Sequence, residues 1–170
     1  MPDVAIAIVS YNTRALLDEC LTSLRADADA GRAEVWVVDN ASTDGSADMV
    51  EAEHPWANLI RSGENLGYGP AVNVVADRTT TDWVAPANSD LSFTPGAIEA
   101  LLGSGAAHPE AAAIAPRLIL PDGSTQQSVQ PFPSVNDLTP VTGRSAQRGC
   151  TTSWRRAKPA CALAAHACRP

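Results

Sequence analysis

The order of short apolar runs, polar loops and helix-spaced segments constrains the fold of this chain more than any other feature. Val4 to Val9 is almost wholly apolar and rich in β-branched residues, which is typical of a strand buried on both faces of a parallel sheet. This run ends in a polar loop, in which Asn12 or Thr13 is available as the N-cap of a following helix. The apolar face of that helix consists of Leu17, Cys20, Leu21 and Leu24. The start of the chain therefore predicts a strand, a loop and a helix.

Later segments repeat this pattern. Further strands are predicted at Glu34 to Val38, Leu59 to Ile60, Trp83 to Ala85 and Ala111 to Ala115, and further helices at Ser46 to Glu53, from Pro70 and from Thr94-Pro95. Strands that alternate with helices at this spacing predict an α/β fold, in which helices flank a mostly parallel, Rossmann-like sheet. Ligands of such sheets bind beyond the carboxyl ends of the strands, so the polar loops at those ends should line one crevice.

Periodicity, charge and cysteine content all change near Leu138. The first 138 residues hold all 19 acidic side chains and six of the 12 basic ones, a net charge of −13, whereas the remaining 32 hold six basic side chains and no acid. We therefore expect a folded domain at 1–138 and a disordered or frameshifted tail at 139–170, because the tail offers little apolar surface to bury. An acidic body argues against nucleic-acid binding but suits a divalent cation. No run is long and apolar enough for a membrane span and no leader peptide is recognisable, which favours a cytoplasmic location.

Two acids follow directly from predicted strands. Asp39 ends the second strand, where its carboxylate could accept hydrogen bonds from a base or ribose or could simply form a turn. Asp90 follows the fourth strand and could hold Mg²⁺ or Mn²⁺, assisted by the carbonyl of Asn88, or could cap a loop. Asn40 and Asp44 are interpreted as structural, as a loop hydrogen-bonding residue and a helix cap.

A glycine-rich stretch precedes the third helix. Asn65, Gly67 and Gly69 lie ahead of a helix N-terminus, a favourable place for an anion, although such glycines also serve as turn residues. The spacing matches neither a dinucleotide fingerprint nor a phosphate-binding P-loop. His54 and His108 lack a companion acid or cysteine at useful spacing and are predicted to lie on the surface.

Taken together, these motifs resemble the family 2 glycosyltransferases, and specifically their bacterial rhamnosyltransferase-like branch. The resemblance spans residues 3 to 135, and its strongest motifs are Ser10-Tyr11-Asn12, Val38-Asp39-Asn40-Ala41-Ser42-Thr43-Asp44-Gly45, Glu64-Asn65-Leu66-Gly67-Tyr68-Gly69, Asn88-Ser89-Asp90 and Pro121-Asp122-Gly123-Ser124. It implies a GT-A fold, a nucleotide-diphosphate-sugar donor such as a dTDP- or UDP-sugar, and Mg²⁺ or Mn²⁺.

The resemblance also implies roles for individual residues. Ser10, Tyr11 and Asn12 would line the nucleotide pocket, Asp39 would contact the base, and Asn65, Gly67 and Asn88 would lie near the nucleotide sugar. Asp90 matches the last acid of the metal-binding D-x-D motif, with Asn88 in the place of the first acid. The acceptor would be a glycan or a lipid-linked glycan, and full-length relatives would associate peripherally with membranes.

One part of the family pattern is missing. Members continue into an acceptor-binding half with an acidic segment that carries the catalytic base, whereas no acid follows Asp137 here. We therefore expect the donor-binding half of a glycosyltransferase, for a sugar such as rhamnose, with impaired transfer. The alternatives are a non-catalytic nucleotide-sugar-binding module and a nonfunctional fragment with exposed strand edges.

Overall fold

The computed structural model describes residues 2–126 and the backbone of 161–163. The strands are β1 (Val4–Ser10), β2 (Ala33–Asp39), β3 (Asn58–Arg61), β4 (Trp83–Asn88), β5 (Ala113–Ile114) and β6 (Cys161–Leu163). The helices are α1 (Arg14–Asp29), α2 (Ser46–Glu53), α3 (Tyr68–Ala76) and α4 (Ala97–Ala107). The alternation of strand and helix predicted from the sequence is confirmed.

All six strands are parallel, in the order β3-β2-β1-β4-β6-β5. The chain runs outward from β1 to β3 and then returns through α3 to place β4 on the other side of β1. The order therefore reverses between β1 and β4, and such a reversal opens a crevice at the carboxyl ends of the two strands.

The alternation of side chains along β1 separates two cores. Val4, Ile6 and Ile8 pack with α1, α2 and α4 on one face of the sheet, and Cys20 is fully buried among them, as predicted. Ala5 and Ala7 point to the opposite face, where α3 packs. Alanines on that face let α3 lie close to the sheet, and this brings the N-terminus of α3 to the crevice.

Two predicted helix starts need correction. α3 begins at Tyr68, so Pro70 is the third helical residue, a position that still needs no backbone donor. α4 begins at Ala97 rather than at Thr94, because the Ala97 N–H donates to the Thr94 carbonyl across a turn. Gly96, with φ of 81°, occupies the third position of that turn, as type II geometry requires after a proline.

His54 was predicted to lie on the surface, and this is wrong. Its side chain is buried, its Nε2 lies 2.7 Å from Asp18 Oδ1, and its ring packs edge-on against Trp56. The partner comes from α1, 36 positions earlier, so local sequence spacing could not indicate it. His108 is exposed, as predicted, although Glu110 lies 3.3 Å away.

The C-terminal part of the sheet differs from the predicted pattern. The strand predicted at Ala111 to Ala115 is reduced to β5, whose Ala113 is exposed rather than buried. Most of the tail expected to be disordered, and the boundary near Leu138, lie outside the described residues. Within that tail the structure places β6 between β4 and β5, paired with both.

Within 2–126, no helix combines the length and the apolar character needed to cross a membrane.

Candidate functional site

The crevice lies where β1, β2 and β4 end. Ser10 is in register with Asp39 of β2, and Val9 is in register with Asn88 of β4. The loops that follow these strands, together with the loop between β3 and α3, therefore meet at one edge of the sheet, as predicted.

The loops after β1 and β2 are bound to each other. Asn12 Oδ1 accepts a hydrogen bond from Thr43 N at 2.8 Å, and Asn12 N donates to Ser42 Oγ at 3.0 Å. Asp44 Oδ2 accepts from Arg14 N at 2.9 Å and so caps α1, while Asp44 Oδ1 accepts from Ser46 at the start of α2. The predicted structural role of Asp44 is confirmed, and it extends to a second helix.

The backbone of these two loops is held in an uncommon conformation. Asn12 and Ala41 are the non-glycine residues with positive φ, at 53° and 62°, in the described part of the chain. Asparagine tolerates the left-handed region, but alanine is disfavoured there. Strain of this kind persists where the surrounding hydrogen bonds over-determine the loop, and it concentrates at functional sites.

Asp39 and Asn40 are buried at the floor of the crevice, each with an unused acceptor. One carboxylate oxygen of Asp39 accepts from Ser42 N at 3.0 Å, while its Oδ1 is buried without a partner among the described residues. Asn40 donates its side-chain amide to the Gly67 carbonyl at 3.4 Å, and its Oδ1 is likewise unpaired. A buried unpaired acceptor costs about 1–3 kcal/mol, which a donor on a bound ligand would offset.

The loop before α3 closes another side of the crevice. Gly67 is the N-cap of α3, with φ of 80° and ψ of 174°, a conformation open almost only to glycine. Asn65 Oδ1 accepts from Gly67 N at 2.9 Å, which fixes the turn. The side chain of Asn65 therefore shapes the loop, and the first amides of α3 beyond Gly67 face the same edge of the sheet.

Asp90 lies just after β4. Its Oδ1 is buried and makes no hydrogen bond within the described residues. Burial, with the Asp90 carboxylate as a second cause, raises the pKa of Cys20 to about 12 and that of Tyr68 to about 12. Both groups therefore stay protonated at neutral pH.

Three hydroxyl groups connect the loop after β1 with the loop after β4. Ser10 Oγ lies 3.0 Å from Thr13 Oγ1, which in turn lies 2.7 Å from Ser89 Oγ. Ser10 and Ser89 are buried. The hydroxyl of Ser10 is therefore engaged inside the protein, whereas the next residue, Tyr11, is 52% exposed.

A mostly apolar cleft of about 340 Å³ begins at Asp90. One wall is formed by the start of α4 and the residues before it, including Phe93 and Leu101, and the other by the segment from Pro116 to Pro121. Arg117 lies on this second wall and is exposed. The cleft extends the crevice away from Asp39.

Sequence reasoning named most of these residues but missed several that organise the site. The fold brings Tyr11, Asn12, Asp39, Asn88 and Asp90 to one edge of the sheet. Ser42, Thr13 and Ser89 were not predicted to matter there, and Asn40 was assigned to loop structure only. Their importance depends on contacts between separate loops, for which a single sequence carries no signal.

The sequence profile described as glycosyl transferase family 2 matches residues 5–159. This chain belongs to glycosyltransferase family 2. The matched region includes every loop of the crevice, and it continues beyond Leu138 into residues outside the described part.

Relatives of this glycosyltransferase agree with that assignment. It is 35% identical over 147 residues to the N-acetylglucosaminyl-diphospho-decaprenol L-rhamnosyltransferase of Mycobacterium tuberculosis, a match that covers 79% of this chain and 48% of the relative. The chain thus spans about half the length of the curated relatives it matches.

Solved structures place this family 2 glycosyltransferase in the GT-A fold. The mannosyltransferase PcManGT from Pyrobaculum calidifontis, in complex with GDP-Man and Mn²⁺, is 27% identical with a TM-score of 0.56, over 62% of this chain and 32% of that one. Residues 1–349 of S. aureus TarS with UDP are 25% identical with a TM-score of 0.57, over 75% of this chain and 39% of that one.

Proposed function

We propose that this chain binds the nucleotide-diphosphate sugar of a glycosyl transfer, with a divalent cation held at Asp90. The observation that carries the proposal is a pair of buried carboxylate oxygens without a hydrogen-bond partner in the described part of the chain, Asp39 Oδ1 at the end of β2 and Asp90 Oδ1 just after β4. Asp39 is suited to accept an N–H of the base or a ribose hydroxyl. Asp90 is suited to hold the cation next to the diphosphate of the donor.

The donor set at Asp90 fits Mg²⁺ or Mn²⁺ that binds together with a nucleotide. These cations prefer oxygen ligands, and they are commonly held by one or two carboxylates plus substrate phosphates. Within the described residues no group of three or more His, Cys, Asp or Glu side chains could hold a metal alone. The proposal therefore predicts weak metal binding without nucleotide and tight binding with it. The relative with GDP-Man and Mn²⁺ supports this pairing of ligands.

Other residues of the crevice would bind and orient the donor. The exposed ring of Tyr11 offers a face on which a base can stack, and Asn12 holds the loop that carries this ring. The N-terminus of α3 after Gly67 favours negative charge, so it would attract the diphosphate. A cation held by Asp90 together with the phosphates would supply positive charge to stabilise the departing diphosphate.

We further propose rhamnose as the transferred sugar, from a dTDP- or UDP-linked donor, and a glycan or lipid-linked glycan as the acceptor. The Mycobacterium tuberculosis relative supports this choice, because its name contains both a rhamnosyl group and a lipid-linked acceptor. The apolar cleft that begins at Asp90 is the place where such an acceptor could approach the sugar.

These 170 residues supply the donor-binding half, and we propose that they do not transfer the sugar efficiently by themselves. Two observations support this proposal: the chain spans about half of its curated relatives, and no acid follows Asp137. A nucleotide-sugar-binding module that does not catalyse transfer is the second candidate.

Calorimetric titration of UDP and dTDP, with and without Mn²⁺, tests donor binding. We expect Mn²⁺ to strengthen nucleotide binding, Asp90→Ala to abolish that enhancement, and Asp39→Ala to weaken binding in both conditions. Glu110→Ala, an exposed residue away from the crevice, is the matched control. A folded wild-type protein that binds neither nucleotide would contradict the proposal, and turnover of a labelled nucleotide sugar by this chain alone would contradict the donor-half assignment.

A further inference from the structure

The segment that contains Asp90 is held to α1 at three points. Thr13 Oγ1 lies 2.7 Å from Ser89 Oγ, Cys20 Sγ lies 4.0 Å from the Asn88 carbonyl, and Phe93 N donates to Ser23 Oγ at 3.0 Å. Thr13 and Ser89 are 76 positions apart in the sequence, and Ser23 and Phe93 are 70 positions apart. These contacts therefore depend on the tertiary fold.

Thr13 differs from an ordinary N-cap residue. It occupies the N-cap of α1, but its side chain makes no capping hydrogen bond. A threonine at this position usually accepts from a backbone N–H of the first helical turn. Here the hydroxyl of Thr13 bridges Ser10 and Ser89 instead, while the carboxylate of Asp44 accepts from the N–H of Arg14 at the start of the same helix.

The bridge from Thr13 ends at the residue next to Asp90. Oδ1 of Asp90 makes no hydrogen bond within 2–126, so no contact of that oxygen fixes the carboxylate, and the neighbouring backbone contributes to its position. Ser89 is the adjacent residue, and its side chain is buried and bonded to Thr13. The carboxylate is thus directed through the peptide of Ser89.

We propose that Thr13 is a positioning residue for Asp90, which it ties to the loop after β1 through the hydroxyls of Ser10 and Ser89. The proposal rests on the donor-binding function and adds a residue to the same site. Through this bridge, the position of the loop that carries Tyr11 and Asn12 is coupled to the position of the segment that carries Asp90. Loss of the Thr13 hydroxyl should therefore impair the metal-dependent part of nucleotide binding and spare the metal-independent part.

Thr13→Val tests the proposal, because valine keeps the shape of threonine and removes only the hydroxyl. Loss of a residue that orients a metal ligand commonly lowers metal affinity by about 10–100-fold. We expect Thr13→Val to reduce the Mn²⁺ enhancement of UDP or dTDP binding by about tenfold or more, with metal-free affinity within about twofold of wild type. Thr13→Ser should retain the enhancement.

Ser23→Ala is the matched control, since it removes a different contact between α1 and the same segment, three residues from Asp90. A general loosening of the segment would affect Ser23→Ala and Thr13→Val alike, whereas a specific role of Thr13 leaves the control close to wild type. Equal Mn²⁺ enhancement in Thr13→Val and wild type would overturn the proposal.

Amide hydrogen exchange at residues 88–91 provides a readout that needs no ligand. We expect faster exchange there in Thr13→Val than in wild type or Thr13→Ser, while the amides of β2 are unchanged. If wild type bound no nucleotide, the donor-binding proposal would fail, and exchange alone would decide the role of Thr13. Unchanged exchange at 88–91 would then overturn the positioning role, and localised acceleration would support it.

Discussion

At the scale of single residues, Asp44 has the widest structural effect of the described carboxylates in the crevice loops. Burial acts to raise its pKa, but hydrogen bonds from the Ser46 hydroxyl and from the N–H groups of Arg14 and Ser46 outweigh this and hold the pKa below 3.8, its ordinary value. The ionised form is thus favoured by the native state. Because Asp44 accepts hydrogen bonds from the first turns of both α1 and α2, it connects the loop after β1 with the loop after β2.

We expect Asp44→Ala to lower the free energy of unfolding by about 1–2 kcal/mol at neutral pH, the usual effect of losing a cap. Because the pKa of Asp44 is lower in the folded state than in the unfolded state, its contribution is complete above pH 3.8 and is lost as the pH falls through the folded pKa. The difference between mutant and wild type should therefore shrink below about pH 4. Urea unfolding at several pH values measures this difference in unfolding free energy. Asp82→Ala, at an exposed position, is the control. An equal loss of stability in both variants would contradict the capping role.

Ala41 gives a second prediction at this scale. In the native state, a φ of 62° costs alanine about 1–2 kcal/mol relative to glycine. Glycine, however, loses more backbone entropy than alanine on folding, which costs about 0.5–1 kcal/mol. Ala41→Gly should therefore leave the free energy of unfolding unchanged or raise it by up to about 1 kcal/mol. Ala26→Gly, at an exposed position inside α1, should lower it by about 1 kcal/mol. Similar losses from both changes would show that the left-handed conformation of Ala41 carries no strain.

At the scale of elements, the position of α4 depends on a glycine. A Cβ placed on Gly105 would lie 2.5 Å from Cζ2 of Trp83, whereas a Cβ on Gly103 would meet nothing within 4 Å. Both glycines lie within α4, where alanine is the better helix former. Gly105 thus lets α4 lie against β4, and the start of α4 forms a wall of the cleft beside Asp90.

The two glycines should respond in opposite directions to alanine. Gly105→Ala gains helix propensity but forces α4 away from the rigid indole, so we expect a net loss of about 1–2 kcal/mol in unfolding free energy. Gly103→Ala has the same gain without the clash and should raise it by about 0.5–1 kcal/mol. Chemical denaturation of the pair is a direct comparison; an increase for both would mean that Trp83 moves aside freely.

At the scale of the whole molecule, the sheet joins distant parts of the chain. β6, at Cys161–Leu163, lies between β4 and β5 and pairs with both. The domain boundary predicted near Leu138 remains a prediction, and the family match extends past it to residue 159. A chain that ended at 138 would leave the β4 edge without this neighbour.

We therefore expect a chain of residues 1–138 to be less stable than the full chain by about 1–3 kcal/mol, since paired backbone groups of β4 would lose their partners. The exposed edge should also favour aggregation. Ala162→Pro in the full chain removes a backbone donor from a strand with neighbours on both sides, and it should reproduce part of the loss. Unfolding curves that coincide for all three proteins would show instead that residues 139–170 add nothing to the fold.

The sequence by itself determined the order of strands and helices and the sites of the main loops. A strand that is buried on both faces of a parallel sheet must be a nearly continuous apolar run, such as Val4 to Val9. Such a run is a local feature, so it can be recognised in the sequence without knowledge of the fold. Asp39 and Asp90 could be named because they follow such runs, and loops at the carboxyl ends of parallel strands must meet. The family assignment rests on the same ordered motifs and is confirmed.

The tertiary structure alone decided which polar groups are used and which remain available. The sequence predicts Thr13 as a helix cap, yet its hydroxyl bonds Ser89, which the fold brings beside it from 76 positions along the chain. His54 reads as a surface residue, yet α1 supplies its partner. Hydrogen bonds between residues 30 or more positions apart depend on how the chain packs, and one-dimensional spacing does not encode that packing. The same packing leaves an acceptor of Asp39 and one of Asp90 without a partner among residues 2–126, where a ligand can use them.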